Sequence, residues 1–135
     1  MADRKLFVNL PVRDLSRSIE FFSKLGFAFN PQFTGENGAC IVLSAEASVM
    51  LVPEPFFKTF TGREICNTST HNEALFTVSC ESRAEVDKLV HLAIENGGKP
   101  SGEPQDHGFM YDWSFFDLDG HGWGVLCMTP DTATK

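Results

Sequence analysis

Three polar side chains in strand-like segments of this sequence could do chemistry. Glu73 begins the apolar stretch "EALFTV", and Asp112 and Ser114 lie within "MYDWSFF". A carboxylate that faces an apolar cavity has a raised pKa and can act as a general base, so Glu73 is the candidate catalytic residue. The alternative is that Glu73 lies at the rim, at the start of its strand, where its carboxylate is simply solvated.

Two histidines lie near these segments. His107 is in the loop "PQDHGF", before the strand that carries Asp112, and loops over pockets often carry function. His107 could cap a ligand or transfer a proton, and an exposed loop histidine without a role is the alternative. His121 follows Asp119 and Gly120 in a turn, so we expect it to be structural and bonded to the turn backbone.

The cysteine pattern favours buried thiols in a reducing compartment. No C-x-x-C pair occurs, and most of the cysteines lie in apolar, strand-like runs. A zinc site or a catalytic thiol is the alternative. The first residues, "MADRKLFVNL", contain no apolar export segment, so the sequence favours the cytoplasm. The cysteines are Cys40, Cys66, Cys80 and Cys127.

Length and charge exclude several classes of partner. The 135 residues suit one compact domain, with 42% hydrophobic and 21% charged residues. The net charge of −7 argues against nucleic acid, because binding to phosphates needs a basic face. No apolar run approaches the roughly 18 residues that span a bilayer, so we expect no membrane partner.

Apolar periodicity divides the chain into two similar halves. Residues 7–12 match residues 73–78 in pattern, and each segment is a strand that enters a helix ending at glycine. Further strands follow each helix. The pattern therefore predicts a single domain over residues 1–135, made of two β-α-β-β-β repeats at about 4–62 and 72–129.

Side-chain alternation along the predicted strands separates two faces. In the last strand Trp123, Val125 and Cys127 oppose Gly124 and its neighbours. The first set is expected to pack under the helices and the second to line a cavity, which we call the cup. Gly124 belongs to the second set, so its missing side chain leaves room in the cup. We predict an α+β fold, with a curved mixed sheet around the cup and helices on its outer face.

Two motifs make the chain similar to a known family. The line "FVNLPVRDLSRSIEFF" resembles the usual opening of the vicinal oxygen chelate superfamily, and "DLDGHGWG" resembles its usual ending. That superfamily includes glyoxalase I, bleomycin-resistance proteins, fosfomycin-resistance enzymes and ring-cleaving dioxygenases. The resemblance covers nearly the whole chain and implies the paired β-α-β-β-β fold, but it is a poor guide to substrate.

The resemblance also implies where a metal would bind. Members of the family hold a divalent ion with His or Glu from four strands, and those positions fall here on Phe7, on or near Leu51, and on Glu73 and Gly124. Only Glu73 carries a metal ligand, and one carboxylate does not make a divalent site. We therefore predict no metal and no cofactor, with a divalent metal bound through other residues as the alternative.

The most economical hypothesis is a protein that binds a small organic molecule in an apolar cup without metal. The alternative is a lyase, isomerase or dioxygenase, either with a metal held by Glu73, His107 and Asp112 or with Glu73 as general base. A third interpretation is a structural or interaction module that binds no ligand. The predicted pocket residues are Phe7, Asn9, Leu51, Glu73, Leu75, Asp112, Ser114 and Gly124.

The expected partners are a small-molecule ligand and a second copy of the chain. The resemblance implies a homodimer, because the family usually pairs its modules across two subunits or within one chain. The segment "PEPFFKTF" is an apolar patch that we place near a subunit contact or the mouth of the pocket.

Overall fold

The first half of the chain forms one compact unit. The computed structural model describes residues 4–128, and the chain divides into two units between Ile65 and Cys66. The elements of the first unit are β1 (Leu6–Val12), α1 (Leu15–Lys24), β2 (Ala28–Gly35), β3 (Gly38–Val42), β4 (Ala47–Pro53) and the short α2 (Glu54–Phe57).

The second unit repeats this arrangement with one additional strand. Its described residues end with its last strand, and the short strands that follow α3 pair along the edge of the sheet. Its elements are β5 (Leu75–Ser79), α3 (Arg83–Glu95), β6 (Lys99–Pro100), β7 (Gln105–Asp106), β8 (Met110–Phe116) and β9 (Gly122–Met128).

Both units have the same sheet topology. The strand order is β1-β4-β3-β2 in the first sheet and β5-β9-β8-β6 in the second, where β7 also pairs with β8. In each sheet the first strand is parallel to the last, and the other pairs are antiparallel. The predicted α+β class and the two β-α-β-β-β modules are confirmed. The strands form two mixed sheets of four and five strands rather than one.

Capping residues mark the ends of the two long helices. The Asp14 carboxylate accepts a hydrogen bond from the Arg17 N–H at 3.2 Å, and the Ser82 hydroxyl accepts one from the Glu85 N–H at 3.1 Å. Gly26 and Gly97 follow the helices with φ of 96° and 109°, values that glycine adopts readily.

One face of each sheet packs against its helix. In β9, Trp123, Val125 and Cys127 are buried beneath α3, and the Trp123 ring stacks on Phe115 with centroids 6.4 Å apart. The opposite face, which we call the open face, carries residues of the other parity. The expected division of strand residues by parity therefore holds for the second sheet. No helix within residues 4–128 has the length and apolar character needed to cross a bilayer.

Candidate functional site

A pocket lies on the open face of the second sheet. Its volume is about 480 Å³. The sheet supplies the floor, and residues 101–109, between β6 and β8, supply one side, which we call the side wall. The pocket is lined by Thr77, Met110, Asp112, Trp113, Ser114, Gly124, Val125 and Leu126 from the sheet, and by Ser101, Gly102, Glu103 and Gln105 from the side wall.

Three residues that the sequence singled out meet in this pocket. Asp112 and Ser114 are two residues apart on β8, and Ser114 lies in register with Gly124 of β9. Strand side chains alternate between faces, so this spacing places all three on the open face. The predicted pocket residues did not include Thr77 or any residue of the side wall. Pairing of the fifth strand with the last would have placed Thr77 beside Gly124 and so could have indicated it.

Gly124 makes room for a neighbouring side chain. A Cβ added at Gly124 would lie 2.9 Å from the Thr77 Oγ1, and Thr77 is its register partner on β5. Gly122 repeats this relation, with the Leu75 Cδ2 at 2.9 Å from its added Cβ. The expectation that Gly124 leaves empty space in the cup is therefore corrected, because Thr77 fills that space and forms part of the pocket lining.

Phe7 and Asn9 are exposed residues of β1 in the first unit. Leu51 was placed on the wrong face. It is fully buried and lies in register with Leu10 on the helix side of the sheet, whereas Met50 is the register partner of Asn9. A shift of one residue along a strand moves a side chain to the opposite face, which explains the error.

Glu73 is not the unpaired carboxylate that the sequence indicated. It precedes β5, and its Oε1 is 2.7 Å from Nδ1 of His121, whose side chain is 2% exposed against 27% for Glu73. The same carboxylate lies near the Cys66 thiol, and desolvation together with this negative charge raises the pKa of Cys66. Leu75, the predicted pocket residue that begins β5, is 70% exposed. Glu73 thus anchors the chain ahead of β5 to the start of β9, in contact with a buried histidine.

The "DLDGHGW" motif is organised by Asp117, a residue that the sequence analysis overlooked. Its carboxylate accepts hydrogen bonds from the backbone N–H groups of Asp119 and His121, both at 2.9 Å, and from the Trp123 indole at 3.0 Å. Burial raises the pKa of Asp117, while His121 and these donors oppose the shift. The Thr68 hydroxyl also donates to the Asp119 carbonyl. This motif shapes the turn, with the His121 backbone held by Asp117 and the His121 ring in contact with Glu73.

A second polar cluster holds the side wall. The Arg83 guanidinium binds both carboxylate oxygens of Asp106, at 2.7 and 3.0 Å. This pairing, with the Gly108 N–H, lowers the pKa of Asp106. The His107 Nε2 lies 3.2 Å from the Asp112 Oδ2 at the pocket. His107 is therefore paired with a residue of the pocket floor rather than isolated in an exposed loop.

Comparison with known proteins gives the relationship. Residues 4–44 match the family model described as bleomycin resistance protein-like N-terminal. A hypothetical protein from S. aureus is 29% identical over 94% of this chain and 95% of its own, with a TM-score of 0.79. A glyoxalase/bleomycin resistance protein/dioxygenase family enzyme from Burkholderia phytofirmans has a TM-score of 0.79 at 16% identity, covering 95% of this chain and 100% of its own.

A third structure, the fosfomycin resistance protein FosX from Mesorhizobium loti, has a TM-score of 0.67 at 12% identity, with 100% of both chains covered. These matches confirm the resemblance to the vicinal oxygen chelate superfamily that the two motifs indicated. Among curated proteins, none matches the sequence significantly.

The positions that the resemblance assigns to a metal do not fit a divalent ion in this chain. The side chains of Phe7 and Gly124 offer no donor atom, Leu51 is buried hydrocarbon, and the Glu73 carboxylate is bonded to His121. Within the described residues, no three His, Cys, Asp or Glu side chains are placed to hold a metal ion. A divalent site would need three or four protein ligands that converge.

The alternative ligand set of Glu73, His107 and Asp112 is not assembled either. On β9, Leu126 is the register partner of Asp112, and Gly122 is the register partner of Leu75, which follows Glu73 by two residues. Leu126 and Gly122 are four residues apart, which corresponds to about 13 Å at 3.3 Å per residue. These three residues are therefore too widely spaced to hold one ion together.

Proposed function

We propose that this chain binds a small organic molecule in the pocket of its second sheet, without a metal ion. The observation that carries the proposal is the pocket of about 480 Å³ on the open face, with few charged groups and no lysine or arginine in its lining. Ligand pockets are commonly concave, of this size, and lined by apolar groups with a small number of oriented polar ones.

The lining chemistry differs from the apolar cup that the sequence indicated. Asp112, Ser114 and Thr77 lie among Met110 and Leu126, so the surface is mixed rather than apolar. Such a lining suits a ligand that has an apolar body together with groups that donate hydrogen bonds to the carboxylate and hydroxyl oxygens.

Ligand screening tests the proposal. A thermal-shift screen of small molecules, followed by calorimetry, is expected to give at least one ligand that raises Tm in proportion to its affinity. Leu126→Trp fills the pocket and is expected to weaken that ligand at least tenfold. Met128→Trp is the matched control, because Met128 is exposed two residues further along the same strand and outside the lining. Equal loss in both variants, or no ligand at all, contradicts the proposal.

The metal-free part of the proposal has its own test. The purified, untagged protein is incubated with nickel, zinc, manganese or iron(II), desalted and measured by elemental analysis. We expect less than about a tenth of an ion per chain, because a divalent site needs three or four protein ligands. A value near one ion per chain contradicts the metal-free proposal and returns the search to metal-dependent lyases and dioxygenases.

A second candidate is a metal-free enzyme that transfers a proton at the same pocket. The observation that favours it is the His107–Asp112 pair, with a carboxylate and an imidazole 3.2 Å apart beside the pocket. A version of this hypothesis in which Glu73 is the general base has less support, because the Glu73 carboxylate is bonded to His121. The test is turnover of the ligands found by screening, with His107→Gln expected to lower kcat at least tenfold and Glu73→Gln expected to leave it near wild type.

We also propose that the chain forms a homodimer. Several large apolar side chains are in contact with water. Phe7 is 52% exposed and Leu75 is 70% exposed, and the aromatic pair Phe56 and Phe60 is exposed as well. A second copy would cover such residues. Light scattering coupled to size exclusion is expected to give twice the mass of one chain, and the mass of one chain contradicts this proposal.

The cytoplasm is the compartment that we propose. All four cysteines are free thiols, including the half-buried Cys66 and Cys80, which suits a reducing environment. The net charge of −7 supports the expectation that nucleic acid is not a partner. Fractionation of the source cell with an antibody to the chain tests the compartment, and recovery in an oxidising compartment contradicts it.

A further inference from the structure

The side wall is attached to the sheet by polar contacts at its two ends. At the first end the Ser114 hydroxyl donates to the Ser101 carbonyl at 2.7 Å, and the Trp113 indole N–H donates to the Gly102 carbonyl at 3.0 Å. Both donors belong to β8, whose residues also form the pocket floor. These bonds hold the beginning of the side wall against the edge of the sheet.

The second end is held from two directions. The Arg83 guanidinium of α3 donates two hydrogen bonds to the Asp106 carboxylate, and the His107 Nε2 lies 3.2 Å from the Asp112 carboxylate of β8. The two residues of β7 add a short ladder to β8. Glu103 and Pro104 stand between the two sets of contacts.

Apolar burial contributes little to holding the side wall. Ser101 is half-buried and all the other residues through Phe109 are exposed. Segments with few buried contacts and exposed hydrogen bonds open at a small fraction of the free energy of global unfolding. Gly102 and Gly108 have φ of 82° and 86°, and an added Cβ at either position would have nothing within 4 Å. Glycine is therefore favoured there by the backbone conformation and not by close packing.

We propose that the side wall is a movable element that swings away from β8 as one piece, and that the Arg83–Asp106 pair is its latch. Opening widens the pocket and frees the Ser114 hydroxyl and the Asp112 carboxylate. The role in admitting a ligand rests on the proposed function, whereas the movement itself is a property of the protein without ligand.

Hydrogen exchange of the full chain without ligand tests the movement. Asp106→Asn keeps an oxygen that can accept from the Gly108 N–H but removes the charged pairing with Arg83. The loss of an exposed ion pair is expected to raise exchange of the hydrogen-bonded wall amides about two- to fivefold, together with that of the Trp113 indole N–H, which donates to the Gly102 carbonyl at the far end. Glu20→Gln is the control, because it breaks an exposed pair with Lys24 in the first unit.

A reciprocal variant tests whether the two ends are coupled. Ser114→Ala removes a contact at the first end and is expected to speed exchange of Gln105 and Gly108 at the second. Exchange that changes only at residues next to each substitution, or that does not change, overturns the proposal, because the side wall then does not move as one piece.

Acrylamide quenching of fluorescence gives a second reading of the same opening. Trp113 is half-buried against the side wall, whereas Trp123 is 1% exposed, so quenching reports on Trp113 and is lost in Trp113→Phe. Asp106→Asn is expected to raise the quenching constant, and an unchanged constant overturns the proposal. Neither measurement uses a ligand, so a failed ligand screen contradicts the proposed function alone.

Discussion

At the residue scale, the turn before β9 depends on the carboxylate of Asp117. It accepts three hydrogen bonds while 4% exposed. Asp117→Asn can keep the backbone donors but presents an N–H group to the Trp123 indole. We expect a loss of about 1–3 kcal/mol in the free energy of unfolding, because a buried donor is left without an acceptor.

Chemical denaturation measures this change. Glu36→Gln is the control, since Glu36 is an exposed carboxylate in the turn between β2 and β3. A variant of Asp117 as stable as that control would show that the turn does not need the carboxylate.

Tyr111 is the single tyrosine of the chain, so its titration can be observed alone. Its hydroxyl donates to the Asp87 carboxylate at 2.6 Å, and this bond raises the pKa of Tyr111 to about 12. A folded-state pKa above the unfolded value of about 10 stabilises the fold below pH 10, and that stabilisation is lost as the pH rises to 12.

Absorbance of the phenolate against pH is expected to show a midpoint near 12 in the wild type. Asp87→Asn is expected to move the midpoint toward 10, because it removes the largest cause of the shift. Asp106→Asn is expected to leave it nearly unchanged. A wild-type midpoint at 10 would mean that the Tyr111–Asp87 bond does not persist in solution.

At the scale of elements, the end of α3 approaches the end of β8 so closely that only glycine fits. An added Cβ at Gly98 would lie 2.7 Å from the Phe116 carbonyl oxygen and 2.8 Å from the Ala93 carbonyl oxygen. Both contacts are backbone atoms, so relief needs a shift of the helix or the strand. We expect Gly98→Ala to destabilise the protein by about 2–3 kcal/mol.

Thermal or chemical unfolding tests this, with Gly62→Ala as the control because nothing lies within 4 Å of an added Cβ there. Equal stability of the two variants would show that α3 and β8 are not held at this distance.

At the scale of the whole molecule, the net charge of −7 produces self-repulsion that salt screens. The ion pairs in the described residues are mostly exposed and contribute little. We expect Tm to rise by about 1–3 °C between 10 and 150 mM sodium chloride. A falling Tm would mean that attractive pairs such as Glu73–His121 outweigh the repulsion.

The sequence by itself determined the two repeats, the ends of the helices and the parity of most strands. These features depend on neighbouring residues: Asp14 and Ser82 cap their own helices, and alternation in "GWGVLCM" places Trp123 and Gly124 on opposite faces. The resemblance to the superfamily came from two contiguous motifs for the same reason.

Only the tertiary structure decided what the functional residues touch. Leu51 faces the helices because of its register with Leu10, Thr77 fills the space beside Gly124, and Glu73 is bonded to a histidine 48 residues away. Such relations depend on the pairing of distant strands. Local periodicity does not encode that pairing, because a slip of one residue preserves the pattern while exchanging the faces.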